Sequence, residues 1–271
     1  MYATGRGGSL YWLTTTLDVS GVQGMYLVDT GSSRLVTKQE VSRKMNPFPT
    51  VQNYVGGAVE GYETVGSVTL AKGNVVRAPV LQKVNCIPAG KQNIHGILGL
   101  MPGRNSVIGK SVWAVEVDFR SHMLSFNQPA TYQPTIHITR SQILNANKLG
   151  LRCDLVAHMR EPPYTLKYHD VRVLLDTGST VALTFLDSTY KEYDTCSTDS
   201  RIHAITIKCG YEELTRPVPP DTLWPSCLPT PVNGTWHEGD CVVLGIQFLN
   251  HMTCVRYTLE DGELQSLSLT K

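Results

Sequence analysis

The sequence predicts an all-β protein built from two related halves, and three observations support this prediction. The composition, with 23 glycines and only 17% charged residues among 271, favours strands joined by many turns. The stretch Asp-Thr-Gly-Ser occurs twice, beginning at Asp29 and at Asp176. Gly99 and Gly245, each at the end of an apolar run, follow these aspartates by 70 and 69 residues. This spacing indicates an internal repeat, which predicts two β lobes related by a pseudo-twofold axis.

Most of the first half is predicted to be strand, because β-branched and aromatic residues alternate between glycine-containing turns. A turn is expected at 18–24, and a short helix is expected at 38–46, before Pro47. The stretch 54–61, with a glycine pair after a tyrosine, predicts a hairpin with a flexible tip. The predicted strands cover residues 9–17, 25–28, 34–37, 62–70, 74–83, 94–100 and 111–126.

The second half repeats this plan. A short helix is expected at 187–193 and a proline-rich loop at 216–231. Residues 128–134 are polar with two prolines and are the best linker candidate, so we expect an N-terminal lobe over 1–130 and a C-terminal lobe over 131–271. The predicted strands cover residues 135–140, 150–158, 163–168, 171–175, 202–208, 240–246, 252–259 and 264–269.

The bulk properties exclude two classes of partner. The net charge of +1 implies no polyanion, so no nucleic acid is expected. No run approaches the roughly 18 apolar residues of a membrane span. The first residues contain no apolar stretch that would form a signal peptide.

The seven cysteines could form disulfides or remain buried thiols. None forms a Cys-x-x-Cys motif or has a histidine at metal-binding spacing, so no metal or other cofactor is expected. Six of the seven lie after residue 150, which favours disulfides in the second half, with one thiol left over. The alternative is scattered buried thiols in a reducing compartment. The triplet at Asn233 is a glycosylation acceptor and is consistent with a secreted or endolysosomal glycoprotein.

Each Asp-Thr-Gly-Ser stretch puts an acid on a turn that leaves an apolar strand. An ionised carboxylate in such a place is costly unless it is hydrogen-bonded or shares its proton. Two such acids predict a paired site, in which carboxylates about 3 Å apart share one proton. The ionised partner can then act as a general base and the protonated partner as an acid. The alternative is that each aspartate caps an ordinary turn, as Asp-x-Gly often does, but the repeat argues against it.

These features together resemble the pepsin-like aspartic proteases, over most of the chain from about Tyr11 to Leu269. The resemblance rests on the two Asp-Thr-Gly turns, the hairpin with Tyr54, and the apolar strands that end at Gly99 and Gly245. It implies a bilobal all-β fold with pseudo-twofold symmetry and a cleft between the lobes. It also implies an aspartic endopeptidase that hydrolyses extended polypeptides, works as a monomer and needs no cofactor.

The resemblance assigns a role to each matching residue. Asp29 and Asp176 match the catalytic pair. The threonines match residues that hydrogen-bond across the axis, the glycines allow close approach to the carboxylates, and the serine hydroxyls bond the outer carboxylate oxygens. The residues that support the pair are thus Thr30, Gly31, Ser32, Thr177, Gly178 and Ser179. The residues that match the substrate-covering flap are Tyr54, Gly56 and Gly57.

Three positions depart from the family pattern: Val36 replaces a tryptophan that would partner the Tyr54 hydroxyl, while His95 and Ile246 replace acids. Fewer carboxylates near the pair lower its upper pKa, whereas an apolar neighbour raises it. We expect activity to extend to mildly acidic or near-neutral pH. The spacing of Cys196 and Cys227 resembles the second-lobe disulfide of the family.

Other pairings and other functions stay open at this point. Cys209 could pair with Cys241, or Cys153 with Cys254. The chain could be a catalytically weak or inactive pepsin-fold protein that binds its partner in the cleft. A homodimeric retroviral-type protease needs one Asp-Thr-Gly per chain, and this chain has two. A serine nucleophile at Ser32 lacks the surrounding motif that such enzymes carry.

Overall fold

Strand dominates the part of the chain that the structure describes. This computed structural model describes residues 2–5, 13–43, 45–54, 57–71, 74–87, 94–103, 105–109, 111–143, 150–160, 165–180, 183–186, 195–196, 202–218, 224–225 and 241–271. Within these residues, helix is limited to a 3₁₀ turn, Arg140–Gln142, and one short helix, α1 (Ile246–Leu249). The prediction of an all-β protein is therefore confirmed. None of the helices described is long and apolar enough to cross a membrane.

The strands follow one another closely along the chain. The first eleven are β1 (Tyr2–Gly5), β2 (Thr14–Val19), β3 (Val22–Asp29), β4 (Leu35–Thr37), β5 (Thr50–Tyr54), β6 (Gly57–Ala71), β7 (Asn74–Gln82), β8 (Gly96–Gly99), β9 (Ala114–Asp118), β10 (Met123–Phe126) and β11 (Ile136–Thr139). The others are β12 (Gly150–Met159), β13 (Thr165–Asp176), β14 (Leu183–Leu186), β15 (Thr195–Cys196), β16 (Ile202–Cys209), β17 (Glu212–Pro217), β18 (Trp224–Pro225), β19 (Cys241–Gly245), β20 (Cys254–Glu260) and β21 (Glu263–Thr270).

Two large sheets contain most of these described strands. The larger sheet has the order β11-β21-β20-β9-β10-β1-β2-β3-β8-β4-β7-β6-β5, and the smaller has the order β14-β19-β13-β12-β16-β17. A separate ribbon joins β15 and β18. Because β20 pairs with β9, and β21 and β11 follow β20 in the sheet order, strands from after residue 131 belong to the same sheet as the first half.

The repeat seen in the sequence reappears as a repeated strand arrangement. In the larger sheet β3 runs parallel to β8, with Asp29 opposite Gly99. In the smaller sheet β13 runs parallel to β19, with Asp176 opposite Gly245. A third strand, β4 or β14, lies antiparallel on the far side of each glycine strand. Both acids thus end a strand in the same local topology, which is why the spacings of 70 and 69 residues are nearly equal.

The predicted helix at 38–46 is wrong for the residues described there, which form bends. The side chain of Gln82 is completely buried and supplies the reason. Its Oε1 accepts hydrogen bonds from the backbone N–H groups of Val41 (2.8 Å) and Ser42 (3.0 Å), and its Nε2 donates to the Ser42 carbonyl at 2.7 Å. A tertiary partner therefore takes the backbone groups that a helix would pair internally.

The turn predicted at 18–24 is shorter in the structure. Strands β2 and β3 extend to Val19 and from Val22, and only Ser20 and Gly21 lie between them. Both residues have positive φ, 53° and 81°, as a two-residue hairpin turn between twisted strands requires. At the other end of the chain, the predicted strand 240–246 ends at Gly245 and continues as α1.

Several predictions fall outside the described residues. These are the helix at 187–193, the glycosylation triplet at Asn233, the flap glycine Gly56, and Cys227 of the pair with Cys196.

A buried ion pair joins the larger sheet to the segment that follows β10. Glu116 on β9 and Arg256 on β20 are 3.1 Å apart, and their side chains are only 4% and 10% exposed. Arg256 also donates to the Gln128 carbonyl at 2.8 Å, and the Thr131 hydroxyl donates to Glu116 at 2.5 Å. The predicted linker is thus bonded to strands from both halves of the chain.

We expect the variant Arg256→Met to lower the free energy of unfolding by about 3–5 kcal/mol, because it leaves Glu116 buried without a counter-charge. Urea unfolding measures this loss. The control is Arg140→Met, which breaks an exposed pair with Glu263 and should cost less than about 1 kcal/mol. Equal losses in the two variants would contradict the expectation.

Candidate active site

The structure brings the two predicted acids together. Asp29 is the last residue of β3 and is buried, while Asp176 is the last residue of β13 and keeps some exposed surface. The two carboxyl groups are close enough for the charge of Asp29 to act directly on Asp176. A hydrogen bond between them needs a proton on one of the two groups, since two carboxylates can only accept.

Thr30 and Thr177 connect the two turns by reciprocal hydrogen bonds. The Thr30 hydroxyl donates to the Leu175 carbonyl at 2.8 Å and accepts from the Thr177 N–H at 3.0 Å. The Thr177 hydroxyl donates to the Val28 carbonyl at 2.7 Å and accepts from the Thr30 N–H at 3.0 Å. Both threonines are almost completely buried, so these four bonds hold two strand ends that are about half the chain apart.

Each glycine of the two turns lies beneath the carboxyl group of the other turn. A Cβ on Gly31 would be 2.5 Å from both carboxyl oxygens of Asp176, and one on Gly178 would be 2.6 Å from Oδ1 of Asp29. Real Cβ atoms do not approach oxygen so closely. Glycine is therefore required at both positions by the proximity of the two acids.

Short hydrogen bonds from its own turn hold each carboxyl group. The Gly31 N–H donates to Asp29 Oδ1 at 2.8 Å, and the Ser32 hydroxyl donates to Oδ2 at 2.6 Å. At the second turn, Asp176 Oδ1 accepts from the N–H groups of Gly178 (2.8 Å) and Ser179 (3.2 Å). The serine contact thus comes from a hydroxyl in the first turn and from the backbone in the second.

The environment favours a shared proton. Burial raises the pKa of Asp176 well above its ordinary value, and the charge of Asp29 and the hydrogen bond to it raise this pKa further. The N–H groups of Gly178 and Ser179 act in the opposite direction but are outweighed. Protonation of Asp176 is thus coupled to the charge of Asp29. In the singly protonated state, the pair presents an acid and a base side by side.

Tyr54 lies near this pair at the end of β5. Its register partner in the antiparallel pairing of β5 and β6 is Gly57, which has a φ of 132°. The Tyr54 hydroxyl is buried, and no described residue makes a normal hydrogen bond to it. Burial raises the pKa of Tyr54, and the charge of Asp29 raises it further, while Arg34 and the nearby Ser32 hydroxyl lower it. The hydroxyl therefore lies near Ser32 and Asp29 of the first acid turn.

The three departures from the family pattern have distinct structural roles. Val36 is completely buried in a cluster against which Tyr54 packs. His95 holds the glycine strand to β3. Its ring Nδ1 accepts from the backbone N–H of Met25 at 2.9 Å, and its backbone N–H donates to the Met25 carbonyl at 2.8 Å. Ile246 begins α1 in the core, and its N–H donates to the Ser179 carbonyl at 2.9 Å.

Sequence reasoning missed two residues that support the site. Arg34, directly after the first turn, pairs with Glu63 of β6 at 3.0 Å and so ties the turn to the hairpin. Tyr257 of β20 is completely buried and donates to the Leu100 carbonyl at 2.5 Å, while the Leu100 N–H donates to the Asp29 carbonyl at 2.8 Å. A charge next to the turn was a visible signal for Arg34, whereas Tyr257 resembles any other core aromatic.

Comparison with known proteins adds no family assignment: no protein-family model and no curated protein matches the chain. Among the described residues, no three His, Cys, Asp or Glu side chains are grouped as a metal site would require. The function is therefore argued from the geometry of the two turns.

We expect Thr30→Val to cost about 2–5 kcal/mol of folding free energy, because it leaves the Leu175 carbonyl and the Thr177 N–H buried without partners. Denaturant unfolding measures the loss. Thr16→Val is the matched control, since Thr16 is exposed on β2 and its replacement should change stability by less than about 0.5 kcal/mol. If Thr30→Val behaves like the control, the reciprocal bonds contribute little to the fold.

Proposed function

We propose that the protein is an aspartic endopeptidase of the pepsin-like, bilobal kind. The observation that carries the proposal is the proximity of the carboxyl groups of Asp29 and Asp176, each of which lies against the glycine of the other turn at the ends of topologically equivalent strands. A structural role alone gives no reason to confine two acids in this way, because an apolar or amide pair would avoid the cost of burying a charge.

The reaction uses the acid and the base of the singly protonated pair. The ionised carboxylate takes a proton from a water molecule, which attacks the scissile carbonyl carbon, while the protonated carboxyl group donates to the carbonyl oxygen. The resulting tetrahedral intermediate collapses when its amide nitrogen is protonated and the C–N bond breaks. The protein forms no covalent bond to the substrate. Because the pair titrates as a unit, neither role is assigned to one aspartate alone.

The hairpin of β5 and β6 covers the substrate in this proposal. Tyr54 holds the hairpin close to the first turn. Its ring packs against the cluster around Val36, and its hydroxyl lies near Ser32 and Asp29. A substrate held under the hairpin excludes bulk water from the acid pair and strengthens the electrostatic interactions within the site.

We expect the protein to cleave a denatured protein substrate, and Asp29→Asn or Asp176→Asn to reduce cleavage at least 100-fold, roughly the share that general acid–base catalysis contributes. The measurement is peptide release with and without pepstatin. The matched control is Asp261→Asn, at an exposed turn position with a φ of 53° that asparagine also tolerates; this variant should retain activity.

Two results would contradict the proposal. Cleavage that survives both asparagine substitutions would assign the activity to another site. A peptide library bound at the acid pair but left intact from acidic to neutral pH would identify a non-catalytic binding protein instead.

We also expect the pH–rate profile to extend to mildly acidic or near-neutral pH. The pair is active while it holds one shared proton, and the surroundings that raise the pKa of Asp176 keep this proton on the pair as the pH rises. Activity should fall only when the pH passes through this raised value and both groups become ionised. The kcat/KM of the wild-type protein, measured against pH, tests this; a profile confined below about pH 3 would refute it.

A further inference from the structure

Two cysteines of the smaller sheet face each other across neighbouring antiparallel strands. Strands β12 and β16 pair with Asp154 opposite Lys208 and Leu155 opposite Ile207. Extending this register by one residue sets Cys153 opposite Cys209. The two side chains are 5% and 6% exposed and belong to the same hydrophobic core.

The geometry of this position suits a covalent bond. Directly opposed residues of an antiparallel pair have Cα atoms about 4.5 or 5.5 Å apart, depending on the type of pair. Disulfides span Cα separations of roughly 4.4–6.8 Å. Both cysteines point to the core face, as their buried neighbours Leu155 and Ile207 do, and the Cys209 thiol is close enough to act on the Cys153 thiol.

We propose that Cys153 and Cys209 form a cross-strand disulfide when the protein meets a low-molecular-weight disulfide oxidant such as oxidised glutathione. One cysteine, as thiolate, attacks the oxidant, forms a mixed disulfide and releases one glutathione thiol. The second cysteine then attacks the mixed disulfide, forms the protein S–S bond and releases the second glutathione. Two protein thiols are oxidised, and one glutathione disulfide is reduced to two thiols, so electrons and protons balance.

This pairing differs from both alternatives that the sequence left open. Cys254 lies on β20 of the larger sheet, where its neighbours are Glu116, Asp118 and Arg256, whereas the charged neighbours of Cys153 are Asp154 and Asp170. The partner of Cys209 on β12 is set by the strand register. Neither Cys153 with Cys254 nor Cys209 with Cys241 follows from it.

The bond would staple the part of the chain that carries the second acid turn. It closes the loop from residue 153 to residue 209, which contains Asp176. One of the two bonded strands, β12, is the direct neighbour of β13 in the sheet. Cys209 lies at the hairpin end of β16, where it is followed by Gly210 and by Tyr211, a completely exposed aromatic residue. The interaction with the Cys209 thiol raises the pKa of Cys153, and burial of Cys153 raises this pKa further, so oxidation should be slow at neutral pH and faster in mild base.

The test is peptide mapping of the full chain before and after incubation with oxidised glutathione. Free thiols are alkylated in denaturant, and the digest is analysed by mass spectrometry without reduction. We expect a peptide that links Cys153 to Cys209 with the loss of two hydrogens, and an increase in melting temperature of about 5–10 °C that reductant reverses.

Matched variants make the result decisive. Cys153→Ala and Cys209→Ala should each abolish the linked peptide and the increase in melting temperature. Cys254→Ala, which removes a buried thiol of the other sheet, should leave both unchanged. The inference is overturned if both thiols are still alkylated after oxidation, if either cysteine is linked to a different one, or if the increase in melting temperature persists in Cys153→Ala.

Discussion

The reciprocal hydrogen bonds between Thr30 and Thr177 are the constraint on which the site depends. The hydroxyl of each threonine donates to the carbonyl of the residue before the other aspartate. It also accepts from the N–H of the residue after that aspartate. The two turns therefore cannot separate without breaking four hydrogen bonds between buried polar groups. These bonds hold the two acids close together. That proximity requires glycine at positions 31 and 178 and contributes to the raised pKa of Asp176.

The two turns are equivalent in topology but not in surroundings. The first turn has a hydroxyl from Ser32, a nearby phenol from Tyr54 and the Arg34–Glu63 pair that links it to the hairpin. The second has a backbone N–H from Ser179 and the start of α1, whose Ile246 bonds the Ser179 carbonyl. Polar groups around one acid and apolar packing behind the other give the pair an asymmetric environment.

The local sequence was sufficient to predict the strands and both acid turns, because apolar alternation, glycine and the Asp-Thr-Gly pattern act over a few residues. The nearly equal spacing from each acid to Gly99 or Gly245 also indicated a long-range repeat, and in the structure each glycine strand lies beside its acid strand. Contacts with no such marker were missed. The Gln82 side chain hydrogen-bonds the backbone of residues 41–42, Tyr257 hydrogen-bonds the Leu100 carbonyl, and Cys153 lies opposite Cys209. Each contact depends on how distant parts of the chain are brought together.

The pairing of β9 with β20 has a consequence for the biosynthesis of the protein. Val117 lies opposite Val255, so the neighbour of β9 on that side is more than half the chain away. While the ribosome is still making the second half, β9 presents an open edge of unpaired backbone groups. Such edges recruit other strands and promote aggregation, and late non-local pairing slows folding. The pairing of β20 therefore closes this edge of β9 and protects the nascent sheet.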